Sequence, residues 1–397
     1  MRIATQIAAV TLLNLRTLPE RIGNSLVVVI GIAGVVGVLL AALAVASGFR
    51  QTIANTGRTD RAIVLTRGAP SESASTVSRE SLISIASAPG VAMNAAGKPL
   101  VSAELLAMAL LTKQADGSDA FVTIRGVGAE AFGIRREMRL EEGRMFQAGL
   151  RELIVGRSAQ RQFAGLNLGD RVRLSDGDWT VVGVFSSGAD SRESELFADS
   201  GALLSAYRRN AFNSVTVQLS SERSFLPFKD SLLQNPQLVV DVWREDEYFS
   251  SLSQPLNRIL KLVAYGIGFI MTIGATFGAL NTMHFAVRAR SVEIATLRAI
   301  GFSGVAIVVS ILVEAVLLAQ LGALIGVTIV YVGFDGRTIS TIGDTVGNNP
   351  QLVYSLVIEP ALVVLGIALA AAIGLVGGLL PGMRAARLPV AAALREN

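Results

Sequence analysis

The sequence contains no cysteine and a single histidine, His284. Without cysteine, no disulfide can brace the fold and no thiolate can ligate a metal. With His284 alone, a Ser-His-Asp set could be built only around that residue. It stands at the edge of an apolar run, where an interfacial role is expected rather than catalysis. No HExxH zinc helix occurs and no GxxxxGK[ST] phosphate loop; the only Gly-Lys pair, Gly97-Lys98, is followed by Pro99. Carboxylates such as Glu141-Glu142 and Asp241 with Glu245 read as solvated surface. The expectation is a chain with no catalytic residues, no metal site and no cofactor of its own. No nucleic-acid motif is present, and the pI of 9.7 reads as arginines beside lipid headgroups.

Charge itself is scarce, at 17% of residues against 51% hydrophobic, and the mean hydropathy is +0.52. The shortage is concentrated. Residues 25–47, 262–283 and 360–383 carry no charge, and residues 305–332 carry only Glu314. Each run meets the ~20 residues that a helix needs to cross the hydrocarbon core. Ala44-Val45-Ala46 resembles a signal-peptidase site, but the first run is longer than a signal-peptide core, so an uncleaved anchor is expected.

Residues 48–257 hold most of the charges and both tryptophans. The layout is therefore one span, a soluble domain, then three spans. Arg2, Arg16 and Arg21 precede the first span; Arg288, Arg290 and Arg298 separate the second and third; Arg384, Arg387 and Arg395 follow the fourth. Arg337 alone lies between the third and fourth. The positive-inside rule puts both termini and the 284–304 loop in the cytoplasm and the large domain outside. The segment 2–18 is a candidate for lying along the inner leaflet, although its apolar residues do not gather on one clean face.

In the outward domain, RAIVLTR (61–67), AFVTIRGV (120–127), ELIVG (152–156), RVRLSD (171–176), DWTVVGVF (178–185), SVTVQL (214–219) and LVVDVW (238–243) are β-branched runs bounded by turn residues. Helices are predicted at 78–88 after a Ser cap, at 157–166 and at 222–234. The mixture reads as α+β. A β–α–β order at 61–112 and again at 214–243 suggests a subdomain of 49–120 with 213–257, split by an inserted subdomain 121–212. Within the insertion, Leu168-Gly169-Asp170 reads as a turn and Asp176-Gly177 as an Asp-Gly hairpin turn between alternating strands.

The segment VRARSVEIATLRAIGFS (287–303) is the most informative stretch. Arg290 and Glu293 are three apart and can pair on a helix surface. Ile294, Leu297 and Ile300 make an apolar edge, and Gly301 breaks the helix. Arginines that only fixed topology would not need that stripe or the Glu; a docking surface for a cytoplasmic partner explains both.

The pattern V-x-A-R-x-x-E-I-A-x-L-R-A-I-G-F-S, followed by a span containing Val313-Glu314-Ala315, resembles the permease domain of MacB/FtsX-type ABC transporters. The tail PGMRAARLPVAAALRE (381–396) resembles that family's end, and GRMFQ…LIVGRSAQRQF…LGDRVRL…WTVVGVF is similar to its MacB-type periplasmic domain. The resemblance implies an α-helical membrane protein with four transmembrane helices in a 1+3 order and a large α+β periplasmic domain between the first two. It divides the chain into 1–48, 49–257 and 258–397, with a coupling helix at 287–303 that docks on an ATPase. The matching coupling residues are Arg290, Glu293, Ile294, Leu297, Arg298, Ala299 and Gly301, with Arg288 beside them.

The resemblance also implies a bacterial inner-membrane location and ATP and Mg bound by a partner ABC ATPase. A second permease copy completes a homodimer, and an exporter would add a periplasmic membrane-fusion adaptor. Lipoprotein release and regulation of a cell-envelope hydrolase are rival functions on the same layout. The loop 333–358 is longer than the turn the resemblance leads one to expect. It is read as an outward element of its own, a strand or a helix packed under the domain.

Glu314 lies ten residues into the third span, or ~15 Å at 1.5 Å per residue, near mid-bilayer. A charge there costs roughly 2.5–3.5 kcal/mol and must face protein. Two roles stand open for it: tuning the packing at an interface, or resting protonated against a Ser or a backbone carbonyl. Gly31, Gly34 and Gly37 in the first span, and Gly374, Gly377 and Gly378 in the fourth, are candidates for close helix contacts between copies.

Overall fold

The computed structural model describes residues 3–17, 22–175, 177–188, 190–340 and 353–389. They fall into two compact units. The first comprises residues up to Ser47, Arg258–Gly336 and the residues from Leu356 onward; the second comprises Gly48–Asn257 and Arg337–Ser355.

The first unit is helical. Helix α1 (Ile3–Thr17) is followed by α2 (Ile22–Thr56), and after the soluble residues come α8 (Glu245–Ala289), α9 (Ser291–Ala299), α10 (Gly304–Phe334) and α11 (Pro360–Ala386). Four of them are long and apolar enough to cross a membrane: α2 from Ser25, α8, α10 and α11. The polypeptide reaches the soluble unit through α2 and leaves it through α8. Close packing of α10 on its neighbours depends on missing side chains. A Cβ at Gly326 would lie 2.6 Å from the Ala33 carbonyl oxygen of α2, and one at Gly374 would lie 2.9 Å from the Val316 Cα of α10. The fourth-span glycines are therefore spent within the chain, on α10 and, at Gly377, on Ala279 of α8. In the first span, Gly37 meets α10 across Val330, whereas Gly31 and Gly34 have no such neighbour within 4 Å.

The second unit is built on one ten-stranded sheet in the order β10-β1-β9-β2-β3-β8-β5-β7-β4, with β6 also on β7. The strands are β1 (Arg61–Thr66), β2 (Val101–Thr112), β3 (Asp119–Val127), β4 (Arg139–Gly143), β5 (Glu152–Gly156), β6 (Arg171–Leu174), β7 (Gly177–Ser186), β8 (Leu196–Asp199), β9 (Ser214–Gln218) and β10 (Val240–Arg244). Helices α3 (Arg79–Ala86) and α7 (Phe225–Leu233) cover the β1-β9-β10 half. Helices α5 (Arg157–Gln162) and α6 (Ser200–Ala206) close a second core around Trp179, and the short α4 (Ala131–Ile134) joins a third with Phe185 and Phe197. The sheet runs unbroken past residue 120, which lies inside β3.

The expected Ser cap is present: Ser78 Oγ accepts from the Ser81 N–H at the start of α3. The predicted hairpin forms, but Leu174 pairs with Gly177, so the turn lies one residue earlier than Asp176-Gly177. Ser175 takes the positive φ of 40°, and Asp176 lies outside the described residues. Gly177 lies in the strand instead, with the Arg151 guanidinium against it.

The long loop after α10 contributes a two-stranded ladder, β11 (Thr338–Ser340) with β12 (Val353–Ser355). It belongs to the soluble unit. The Val353 N–H donates to Ser194 Oγ at 2.9 Å, and the Tyr354 ring meets Phe49 edge-on at 5.7 Å.

The soluble unit also buries ionic side chains on a scale that its sequence did not announce. Arg125 on β3 donates to Glu195 (2.7 Å), to Glu104 (2.8 Å) and to Glu72 (3.0 Å). Arg135 holds the other oxygen of Glu104. Glu245, expected on a solvated surface, is buried at the first residue of α8 and accepts from Arg192 at 2.7 Å. Glu141 and Glu142, by contrast, do lie toward solvent, around Arg157.

The turn at 190–194 gathers several of these ties. Asp190 caps it, accepting from the Arg192 N–H at 3.0 Å and from Ser187. The Ser191 N–H donates to Thr56 Oγ1, the last residue of α2, at 3.0 Å. Arg192 holds Glu245, and Ser194 holds Val353. Burial would raise the Glu104 carboxyl, but Arg135 and Arg125 outweigh it and hold it at about 2. Glu137, beside Arg61, is likewise held at about 2 against its own burial. Asp190 differs: burial pushes it up to about 6 in spite of Arg192 and the Ser187 hydroxyl.

These shifts give opposite linkages. Glu104 and Glu137 bind protons more weakly folded than unfolded. Their contribution is present above about 4.5 and is lost as pH falls from there toward about 2. Asp190 binds its proton more tightly folded, so stability rises as pH falls from about 6 toward 3.8. Unfolding followed by tryptophan fluorescence should therefore show greatest stability near pH 5. Asp190→Asn should flatten the limb between pH 5 and 7 and leave the acid limb in place.

Candidate functional site

Helix α8 ends at Ala289, Arg290 leaves helical geometry, and α9 begins at Ser291. Ile300 and Gly301 end α9. Gly301 has φ +100°, a left-handed conformation that glycine adopts without a Cβ penalty. The Phe302 N–H then reaches back to the Leu297 carbonyl at 3.1 Å. Ser303 starts α10 by accepting from the Ala306 N–H at 3.2 Å, the cap that serine favours.

Charged side chains bind this segment to its neighbours rather than display it. Arg290 Nη1 and Nη2 donate to the two carboxylate oxygens of Glu314 at 3.0 and 2.9 Å. Both side chains are buried, at 7% and 6% exposure. This paired fork is the strong form of the guanidinium–carboxylate bond. Arg298 Nη1 donates to the Leu388 carbonyl at 3.3 Å, and to that of Ala386 at the end of α11. Gln6 of α1 brackets the Gly301 turn: its amide donates to the Gly301 carbonyl at 3.5 Å, and its carbonyl accepts from the Ser303 N–H at 3.2 Å. Asn14, two turns further along α1, donates to Ser310 at 2.7 Å.

Two sequence expectations change. Arg290, expected beside Glu293 on a displayed helix face, is turned inward because Glu314 offers both its oxygens one turn beyond Ser310. Glu314 does not rest on a Ser or a backbone carbonyl. It lies ten residues beyond Gly304, the first residue of α10, against a cation contributed from before α9. The apolar edge also divides: Ile294 is buried, Leu297 is half-buried and Ile300 is exposed. Arg288, Val292, Glu293, Thr296, Ala299, Ile300 and Gly301 remain outward. The outward face of α9 itself is thus largely uncharged.

Gln6, Asn14 and Ser310 were missed by sequence reasoning. Their polar groups carry no motif, and only the fold brings positions almost 300 residues apart together. Glu314 with Arg290 had a usable signal: one lone charge inside a span, with a cation just outside it.

Two family models match the chain. The MacB-like periplasmic core domain matches residues 23–234, and the FtsX-like permease C-terminal domain matches residues 265–390. The macrolide export ATP-binding/permease protein MacB of Bdellovibrio bacteriovorus is 24% identical over 61% of this chain and 38% of its own length. MacB of Neisseria gonorrhoeae is 25% identical over 70% of this chain and 44% of its own. The chain thus spans about two fifths of the MacB relatives it matches. The uncharacterized ABC transporter permease YknZ of Bacillus subtilis is 24% identical over 69% of this chain and 70% of its own.

Among solved structures, the extracellular domain of YknZ from Gram-positive bacteria aligns over 46% of this chain and 99% of that domain, at 18% identity and TM-score 0.36. The periplasmic region of MacB from Actinobacillus actinomycetemcomitans aligns over 51% of this chain and 96% of that region, at 15% identity and TM-score 0.38. With the first family model alone covering more than half of its residues, and the second taking in α9 and its anchors, the chain belongs to the family of ABC transporter permeases that join a MacB-like periplasmic core domain to an FtsX-like permease domain.

Proposed function

We propose that this chain is the permease subunit of a MacB-type export system, driven by a cytoplasmic ABC ATPase that docks on the 287–303 segment. The observation that carries this reading is the division of labour on α9. Its arginines, Arg290 and Arg298, are used up on α10 and α11, while Val292, Thr296 and Ile300 remain open on the other side. These residues hold no phosphate loop, and ATP and Mg are bound on the ABC ATPase. Orientation follows from the arginines flanking the apolar runs: α9 and both termini lie in the cytoplasm, and the soluble unit faces the periplasm.

Closure of the ATPase dimer pushes α9. Because Arg290 grips α10, Arg298 grips the end of α11, and Gln6 ties in α1, the push reaches three helices at once. Bound nucleotide shifts the equilibrium only by favouring one packing over another. A second copy of the permease completes the assembly, and the unfilled side of α2 at Gly31 and Gly34 is a contact surface suited to it. In an export system, a periplasmic adaptor would meet the soluble unit.

Val292→Asp combined with Ile300→Asp should leave the permease folded and abolish both co-purification of the ATPase and its stimulated hydrolysis. Unchanged values of both would remove the docking face. Arg290→Gln leaves Glu314 buried and unpaired, at a cost of about 3–5 kcal/mol. It should lower thermal stability in detergent and uncouple hydrolysis from transport. The exchanged pair, Arg290→Glu with Glu314→Arg, should recover much of both. Equal loss in the single and exchanged variants would show that the pair is not the link.

A further inference from the structure

A second polar site in the helical unit takes no part in these anchors. Between α8 and α11 lies a cleft of about 610 Å³, lined by Phe277, Leu280, Asn281 and His284 from α8 and by Leu380 and Arg384 from α11, among others. Its inner end is fixed where Ala279 and Gly377 meet: a Cβ on Gly377 would lie 2.8 Å from that of Ala279. His284 and Arg384 are the residues at which two uncharged runs, 262–283 and 360–383, come to an end. Both therefore stand at the same kind of boundary, where hydrocarbon gives way to headgroups.

Among the described residues, His284 Nδ1 is buried and has no hydrogen-bond partner. Among the described residues, no carboxylate lies within ion-pair distance of Arg384, although this arginine is three residues from the Arg387 turn that closes α11. A buried ring nitrogen without a partner costs free energy. The site combines a permanent cation, an imidazole and an amide at one end with Phe277, Leu280 and Leu380 at the other. That is the pattern of an amphiphile with an anionic head.

We infer that this cleft holds an anionic phospholipid, its phosphate on Arg384, His284 and Asn281 and its acyl chains along Phe277, Leu280 and Leu380. Basic recesses between spans at the cytoplasmic surface suit such headgroups. The ligand bridges α8 and α11, two helices that meet directly at Ala279 and Gly377. It therefore acts on helix pairing in the permease and does not depend on whether an ATPase docks at α9.

The test uses the full chain purified from membranes, in nanodiscs of phosphatidylcholine alone or with phosphatidylglycerol, read by native mass spectrometry and thermal melting. The wild type should retain phosphatidylglycerol in preference to phosphatidylcholine and melt higher with it. Arg384→Gln should weaken retention about fivefold, the factor that about 1 kcal/mol for one basic group at a lipid surface gives. His284→Gln should weaken it less, and Arg384→Lys should restore most of it. Arg387→Gln, outside the cleft, should change nothing. Equal loss with Arg387→Gln would overturn the proposal in favour of a diffuse surface charge. So would equal retention of both lipids, full displacement by millimolar inorganic phosphate, or a cleft covered by a second copy with no lipid retained.

Discussion

A charge can remain inside an apolar helix bundle only if something cancels it, and in this chain Glu314 is cancelled by Arg290. The constraint is quantitative. An unpaired carboxylate within a span costs roughly 2.5–3.5 kcal/mol on insertion scales, and stranding it after the fold has formed costs more. Satisfying both of its oxygens requires the planar fork of an arginine at one position and one angle. Arg290 is the residue between α8 and α9, so that angle also sets where the surface helix begins. Ser303, Gly301 and Gln6 then fix where it ends. The placement of α9 follows from an electrostatic requirement inside α10 rather than from the weak apolar stripe that first drew attention to it.

The soluble unit solves the same problem at larger scale. Arg125 faces three carboxylates, and Glu104 is shared by two arginines. Ion pairs this deep add little net stability compared with apolar packing, but they tolerate few alternative arrangements. Their positions are informative. Within the turn at 190–194, Ser191 holds the end of α2, Arg192 holds the start of α8, and Ser194 holds β12, the strand that leads toward α11. One short turn, capped by Asp190, therefore touches three of the four chain segments through which this unit is joined to the apolar helices.

Legibility in the sequence followed local physics. The four apolar helices, and strands such as β1, β5 and β7, were plain because length, hydropathy and β-branching report them directly. Strand β2, VSAELLAMALLT, was hidden because its residues favour a helix. It is a strand only because β9 and β3 pair with it on both sides, a context no local pattern contains. Strands β4 and β8 are short and charged or flanked by charge. The hairpin turn was misread by one residue because Asp-Gly is a stronger turn signal than Ser175, yet Gly177 pairs with Leu174 in the ladder. At the candidate site, the spacing singled out Arg290, Glu293 and Arg298, and the structure uses Arg290 and Arg298 to hold α10 and the end of α11. Their directions were not readable, because three-residue spacing on a helix says which groups can meet and nothing about a rival partner 24 positions away.

Under the proposed function, that rival partner also explains how the surface helix would combine two tasks that otherwise conflict. Recognition of a docking partner favours a face that is exposed, adaptable and free to exchange partners. Transmission of a push requires contacts that do not slip. Apolar contacts are non-directional, so a helix held by its apolar stripe alone could slide along the bundle under load. Hydrogen bonds of 2.9–3.0 Å to both oxygens of Glu314, and further bonds to main-chain carbonyls of α11, resist sliding because they weaken steeply with angle and distance. By turning its arginines inward and leaving Val292, Thr296 and Ile300 outward, α9 keeps the two kinds of contact on separate faces. A partner can then come and go on one face without loosening the grip of the other.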